Sequence, residues 1–324
     1  MNPFEAVPLG RTDVTVTRLG LGLAPIAGLF RSVGDEAATA TVDRAWEHGV
    51  RYFDTAPLYG AGRSERRAGA ALSGRDRDAF TLSTKVGRLL EPGHEDDAMW
   101  AEPTGAVARF DFTAEGVRRS YADSLERLGL DRADVLHIHD PDDHFAEANA
   151  GARPELVAMR AAGTIGAVSA GMNQSAMLTD FVSTGDFDCV LLAGRYTLLD
   201  QSGLGDLLPA AARRGVSVIA GGVYNSGVLA DPSPGATYGY SPASAEILAR
   251  ARALSEVCAR HSIPLRAAAL QFPFTHPAVA TVLIGMRSPE EVDDAVAMAS
   301  IDIPPALWHD LAAAGLIDEA VPLP

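Results

Sequence analysis

Residues 113–139 read TAEGVRRSYADSLERLGLDRADVLHIH. Apolar residues recur at helical spacing from Thr113 to the break at Gly129, and a near-continuous apolar run, Val135–His139, follows. Phe80–Lys85 precedes this segment with the same strand-like character, so strand, helix and strand succeed one another. Outward from there, similar runs occur at Leu19–Ala24, Arg51–Thr55, Ile165–Gly171, Cys189–Ala193, Val216–Gly221 and Thr281–Gly285, making eight candidate strands with room for a helix after each. Their β-branched, near-continuous hydrophobicity fits a parallel sheet covered on its outer face. Ser288-Pro289-Glu290-Glu291 reads as an N-cap, a proline at N1 and acids in the first turn of another helix. Eight βα units without a break in composition predict a single (β/α)8 TIM barrel over 1–324, one domain, with an open doubly wound sheet as the alternative.

Three regions fall outside the repeat. Pro8-Leu9-Gly10-Arg11-Thr12-Asp13 reads as a turn between short strands, an N-terminal β-hairpin capping the barrel floor. Residues 88–112, with His94, Trp100 and several acids, and residues 222–243, rich in Gly, Ser, Pro and Tyr, are long loops after strands three and seven. Loops at that end of a barrel form its mouth, where function is built.

Composition narrows the class of function. A chain of 324 residues, 47% hydrophobic and 21% charged, buries a large core, and global disorder is excluded. The net charge of -15 argues against nucleic acid held through phosphates and against a basic membrane-surface patch. No signal peptide, membrane-spanning run or disulfide framework is visible, and Cys189 and Cys258 read as buried thiols, so the expectation is a cytoplasmic protein, monomeric or a small homo-oligomer. The 27 basic residues include one lysine, Lys85, and every other is arginine. Arginine cannot release its proton and differs in shape from an ammonium, which marks Lys85 as a position whose chemistry needs an amine.

Side chains at the C-terminal ends of barrel strands are the ones positioned for chemistry. Asp54 ends strand two, with Tyr59 in the turn behind it, Lys85 ends strand three and His139 ends strand four. A phenol with a reference pKa near 10 is a poor base at neutral pH, but a neighbouring ammonium, oriented by Asp54, lowers that value. His139 adds a hydrogen bond at the same substrate oxygen. Such a group suits proton exchange at a carbonyl or carbinol oxygen, with hydride passing to or from a nicotinamide.

Gly49-Val-Arg-Tyr-Phe-Asp54-Thr-Ala, Tyr59, Ser83-Thr-Lys85 and Ile138-His139-Asp-Pro resemble the motifs of the aldo-keto reductase superfamily, across nearly the whole chain. Asp111-Phe112-Thr113 with Arg119-Ser120-Tyr121, HIHDPDDH at 137–144 and LLAGRYTLLDQ at 191–201 are similar to the branch of D-threo-aldose 1-dehydrogenases, which includes L-fucose dehydrogenases. The resemblance implies Tyr59 as acid/base, Asp54 and Lys85 tuning it, and His139 orienting the substrate oxygen. It implies NAD or NADP bound without a Rossmann fingerprint, at Gly22, Asn173, Gly221, Gly285, Arg287, Ser288, Glu291 and Asp294. The serine beside Asn173 is replaced, and Ala193 and Gly221 stand where the family's glutamine and its stacking aromatic fall. Glu291, with Asp293 and Asp294, weighs toward NAD against the pull of Arg287.

A sugar needs polar partners and a flat face, for which Trp100, Asp140 and Arg195 are the candidates, and His137 reads as barrel filling. The expected reaction is oxidation of an aldose C1 hydroxyl to the lactone, or turnover of another aldehyde-level substrate of pyridoxal type. The rivals are a Schiff-base aldolase using Lys85, a metal hydrolase using His137 and His139, and a catalytically idle nucleotide sensor. The expected partners are a small sugar or aldehyde, with no metal, nucleic acid or membrane.

Overall fold

The computed structural model describes residues 1–93 and 99–324, and His94 lies outside the described residues. All eight expected strands are present: β1 (Leu19–Gly22), β2 (Tyr52–Asp54), β3 (Thr81–Val86), β4 (Val135–His139), β5 (Ala167–Met172), β6 (Cys189–Ala193), β7 (Ser217–Gly221) and β8 (Val279–Gly285). They pair in parallel and in chain order, and β8 returns to β1 to close the barrel. An open doubly wound sheet has two edges; this one has none.

Helices cover the outside: α1 (Asp35–His48), α2 (Arg63–Leu72), α3 (Ala114–Leu128), α4 (Arg153–Ala161), α5 (Ser175–Ser183), α6 (Leu207–Arg214), α7 (Ala245–Arg260), α8 (Leu265–Gln271), α9 (Pro289–Ser300) and α10 (Pro305–Ala313). The Gly129 stop and the Ser288 cap legible in the sequence are formed, and the structure adds a cap at Thr113. Thr113 Oγ1 accepts from Gly116 N at 3.0 Å, and Gly129 ends α3 with φ 62°. Ser288 Oγ accepts from Glu291 N at 3.3 Å, with Pro289 opening α9.

Because strand side chains alternate, each strand builds two cores. Leu21, Phe53, Leu82, Ile138, Val190 and Val218 point outward into the cluster shared with the helices. Tyr52, Val135, Ala167, Leu191, Ile219 and Leu283 point inward. The N-terminal hairpin pairs Ala6–Pro8 with Thr15–Thr17, and its buried Leu9 and Val16 join the inward cluster, so it plugs the floor. Cys189 and Cys258 are free and buried, and burial pushes their thiols up to about 12 and about 11, which leaves them inert packing groups. No helix among the described residues is long and apolar enough to cross a membrane.

The segments between barrel units are partly ordered as ribbons. Arg88–Pro92 pairs with Ala106–Phe110 after β3, and Thr237–Tyr238 pairs with Ser241–Pro242 after β7.

Candidate active site

The inward positions near the mouth divide into two arcs. On β2, β3 and β4 they carry Asp54, Lys85 and His139; on β5, β6, β7, β8 and β1 they carry Gly171, Ala193, Gly221, Gly285 and Gly22. One arc is polar and the other has nothing larger than a methyl group, which leaves open space beside the polar groups.

Lys85 and Asp54 have side chains only 2% exposed, and Nζ donates to Asp54 Oδ2 at 2.6 Å and to the Thr55 carbonyl at 2.9 Å. Ser83 Oγ donates to the other Asp54 oxygen at 2.6 Å and meets the Tyr52 hydroxyl at 3.0 Å. His137 fills the interior below: its Nδ1 bonds Ser169 Oγ at 2.7 Å, and its Nε2 lies 3.5 Å from Asp54 Oδ1. Burial and the Lys85 charge hold its imidazole well below the usual histidine range.

Tyr59 is set by a tight turn in which Tyr59 N donates to Ala56 O at 3.1 Å. Gly60 and Gly62 follow with φ 59° and 80°, and a Cβ on Gly60 would stand 3.0 Å from Ala27, so the turn needs glycine there. The Tyr59 ring lies 4.9 Å from Lys85 Nζ, edge-on to His139 at 5.9 Å and tilted to Trp100 at 6.4 Å. The structure therefore gathers Asp54, Tyr59, Lys85, His139 and Trp100 at one end of the barrel.

The expectation that Lys85 lowers the Tyr59 pKa needs correction. Burial first, and then the charges of Asp54 and Asp140, push the phenol well above its ordinary value. The Lys85 ammonium is committed to Asp54 at hydrogen-bond distance, so its field at the phenol is largely compensated. His139 moves the other way: burial, then Lys85 and Arg88, hold it well below the usual range, neutral at pH 7. Its Nε2 lies 3.4 Å from Asp140 Oδ2, and burial raises the Asp140 carboxyl.

Arg195 is not part of this cluster. Its Nη1 donates to Asp200 at 3.0 Å, and the Tyr238 hydroxyl donates to the same carboxylate at 3.4 Å, so Arg195 braces the ribbon carrying Tyr240. Three side chains near the site went unread in the sequence. Arg88 acts electrostatically on both Tyr59 and His139; Tyr240 acts on Tyr59 and is paired with Phe30 at 5.7 Å. For Arg88 a signal existed, since it follows Lys85 by three residues at a strand end; Tyr240 and Phe30 meet only in space.

The open arc fits a nicotinamide dinucleotide. Beside Gly194, Asn225 Oδ1 is buried without a partner among the described residues, while its Nδ2 donates to Gly194 O at 3.2 Å, leaving an acceptor for an amide N–H. Asn173 is exposed one residue beyond β5. At the N-terminus of α9, Arg287 Nε is buried and has no hydrogen-bond partner among the described residues, which suits a phosphate oxygen.

The charge count behind an NAD preference does not hold as read from the sequence. Asp293 is bound by Arg44 at 2.7 Å and His48 at 2.6 Å, which hold its carboxyl at about 2. Asp294 is bound by Arg266 of α8 at 2.9 Å. Both carboxylates are compensated between helices, and only Glu291 remains beside Arg287, accepting from Arg287 N at 2.9 Å.

The geometry counts against two of the rivals. Lys85 Nζ is buried and donates to Asp54 and to the Thr55 carbonyl, so a Schiff base would have to break a buried ion pair, and His137 Nδ1 is committed to Ser169.

The family model described as the aldo/keto reductase family matches residues 18–315. The chain is 41% identical to a pyridoxal 4-dehydrogenase of Microbacterium luteolum, over 97% of this chain and 98% of that one. It is 40% identical to a D-threo-aldose 1-dehydrogenase of Pseudomonas sp, over 94% of this chain and 95% of that one. Among solved structures, the holo form of an aldo-keto reductase from Bacillus halodurans superposes with a TM-score of 0.78 at 25% identity, covering 98% of each chain.

Proposed function

Because this chain belongs to the aldo/keto reductase family, we propose that it is a nicotinamide-dependent dehydrogenase oxidising the C1 hydroxyl of an aldose of L-fucose or D-threo type to the lactone. The observation that carries the reading is the convergence of Tyr59, Lys85, Asp54 and His139 beside the arc of Gly22, Gly221 and Gly285. Bound there, the nicotinamide supplies the hydride acceptor. Tyr59 Oη takes the proton of the C1 hydroxyl as base, and returns it as acid when a carbonyl is reduced. His139, neutral, donates Nε2–H to the same oxygen and holds it toward Tyr59. Lys85, fixed by Asp54 and Thr55 O, stands 4.9 Å from the centroid of the Tyr59 ring, and only the part of its charge that Asp54 leaves uncompensated favours the phenolate as it forms. Trp100 offers the flat face on which a sugar ring stacks.

NAD is the preferred cofactor in this reading. The Glu291 carboxylate holds Arg287 N at 2.9 Å and lies 3.6 Å from Arg287 Nε, so it opposes a 2′-phosphate at that place.

A panel of aldoses assayed for the absorbance of reduced nicotinamide tests the proposal. Lactone formation with at least one D-threo-configured aldose is expected, and no reduced cofactor with any aldose overturns it. The relative at 41% identity favours one second reading, oxidation of pyridoxal. Pyridoxal, like an aldose, closes to a cyclic hemiacetal, so the same groups serve. Turnover of pyridoxal with silence on every aldose selects it.

A further inference from the structure

Arg88 stands at the mouth in an unusual state. Its side chain is 17% exposed, and its Nε is buried with no hydrogen-bond partner among the described residues. Among the described residues its one ionic contact, Nη2 to Asp140 Oδ2, is long at 3.5 Å. The guanidinium lies 4.7 Å from the centroid of the Phe110 ring, and that ring is wedged against His144 at 4.6 Å, so the arginine is held on its apolar side while its fork remains unsaturated. Burial lowers the affinity of the guanidinium for its proton, with the charge of Asp140 acting against that. A buried guanidinium N–H without an acceptor is costly, and a satisfied alternative, a closer fork on Asp140, is not adopted.

The location gives this state a use. Asp140 Oδ2 is shared between Arg88 Nη2 at 3.5 Å and His139 Nε2 at 3.4 Å, neither at full hydrogen-bond strength. Asp140 is itself in the left-handed region with φ 40°, while its N–H bonds Gly171 O at 3.0 Å, so its carboxylate is turned to this side by the backbone. Donor and acceptor therefore stand side by side, each underused, next to the histidine at the reacting oxygen.

We propose that Arg88 and Asp140 together recognise the hydroxyl on the carbon adjacent to the reacting carbon, making Arg88 a specificity-determining residue for polyhydroxylated substrates. The guanidinium donates to that hydroxyl's oxygen and Asp140 accepts its proton. A hydroxyl is the one common group that satisfies both partners at once; a ketone lacks the proton, and a methylene leaves both unsatisfied. The assignment rests on the aldose reading above.

The test compares kcat/KM for an aldose that the parent oxidises with that for its 2-deoxy counterpart, in the parent, Arg88→Met, Arg88→Lys and Asp140→Asn. The parent is expected to prefer the 2-hydroxylated sugar by about 10- to 100-fold, the range of a hydrogen bond to a charged group. Arg88→Met and Asp140→Asn are expected to bring that ratio toward one, with Arg88→Lys between. A purely structural role lowers both rates together and leaves the ratio unmoved. An unmoved ratio in the variants, or a parent without preference for the 2-hydroxyl, overturns the assignment while leaving the aldose reading intact. A parent that oxidises no aldose overturns the reaction and the assignment together, and is recognised before any variant is compared.

Discussion

Replacing Lys85 by methionine keeps the length of the side chain and removes little but the ammonium. Lys85 and Asp54 each have side chains 2% exposed, joined at 2.6 Å, so the substitution leaves a buried carboxylate with the Ser83 hydroxyl at 2.6 Å as its close remaining donor. Breaking one partner out of a buried pair costs about 3–5 kcal/mol. With an unfolding entropy of about 2.1 cal/mol/K per residue over 324 residues, Lys85→Met lowers Tm by about 4–7 °C. Adding Asp54→Asn removes the orphaned charge, and the double variant recovers a good part of that loss. Lys85→Arg keeps the charge but forces a wide planar fork into a space bounded by Asp54 and the Thr55 carbonyl, an overpacking of about 1–3 kcal/mol. None of the three restores activity, because none presents an amine to Tyr59. Denaturant unfolding of parent and variants, with turnover measured beside it, checks each step. A loss under about 1 kcal/mol in Lys85→Met, or no recovery in the double variant, refutes the coupled pair. Near-parent turnover in Lys85→Arg refutes the need for an amine.

Tyr59→Phe lowers turnover by about 10²–10⁴-fold with cofactor affinity little changed, since only proton transfer is deleted; a variant above half the parent rate removes Tyr59 from the role. Because the Tyr59 pKa is raised and oxidation needs the phenolate, kcat/KM for oxidation climbs with pH through the neutral range into the alkaline one; a profile flat between pH 7 and 9, with chemistry limiting, counts against it. His137 and His139 are neutral in the fold and take protons on unfolding below about pH 6.5, so stability is full above that pH and falls below it, by up to about 1.4 kcal/mol per pH unit for each histidine. Denaturant curves at pH 7.5 and 5.5 measure this, with His137→Gln reducing the slope; equal stabilities at the two values refute it. Glu291→Arg releases Arg287 N and reverses the local charge, shifting the kcat/KM ratio about tenfold or more toward NADP; a parent already favouring NADP tenfold refutes the account of that end.

The alternation of eight apolar runs with helical segments was legible because a barrel's elements are local: a strand buried on both sides and a helix with one apolar stripe each leave their period in the chain. Asp54, Lys85 and His139 were legible for the same reason, since a strand end is a position in sequence as well as in space. Asp293 and Asp294 were misread as facing the cofactor, because their partners, Arg44, His48 and Arg266, lie on helices distant in the chain. The balance of forces on Tyr59 was misread too: proximity to Lys85 could be inferred, but not that Asp54 holds that charge while burial dominates the phenol.

The sequence by itself determined the barrel, its helix caps, the plugging hairpin and the set of polar side chains brought to the mouth. These follow from period, turn chemistry and strand order, each set within a few neighbouring residues. The tertiary structure alone decided which charges are spent on one another, which arc of the mouth is left open, and that Arg88, Asp140 and His139 share one corner. Pairing and desolvation depend on distances between segments far apart in the chain, and electrostatic energy in a buried site changes severalfold over a few ångströms.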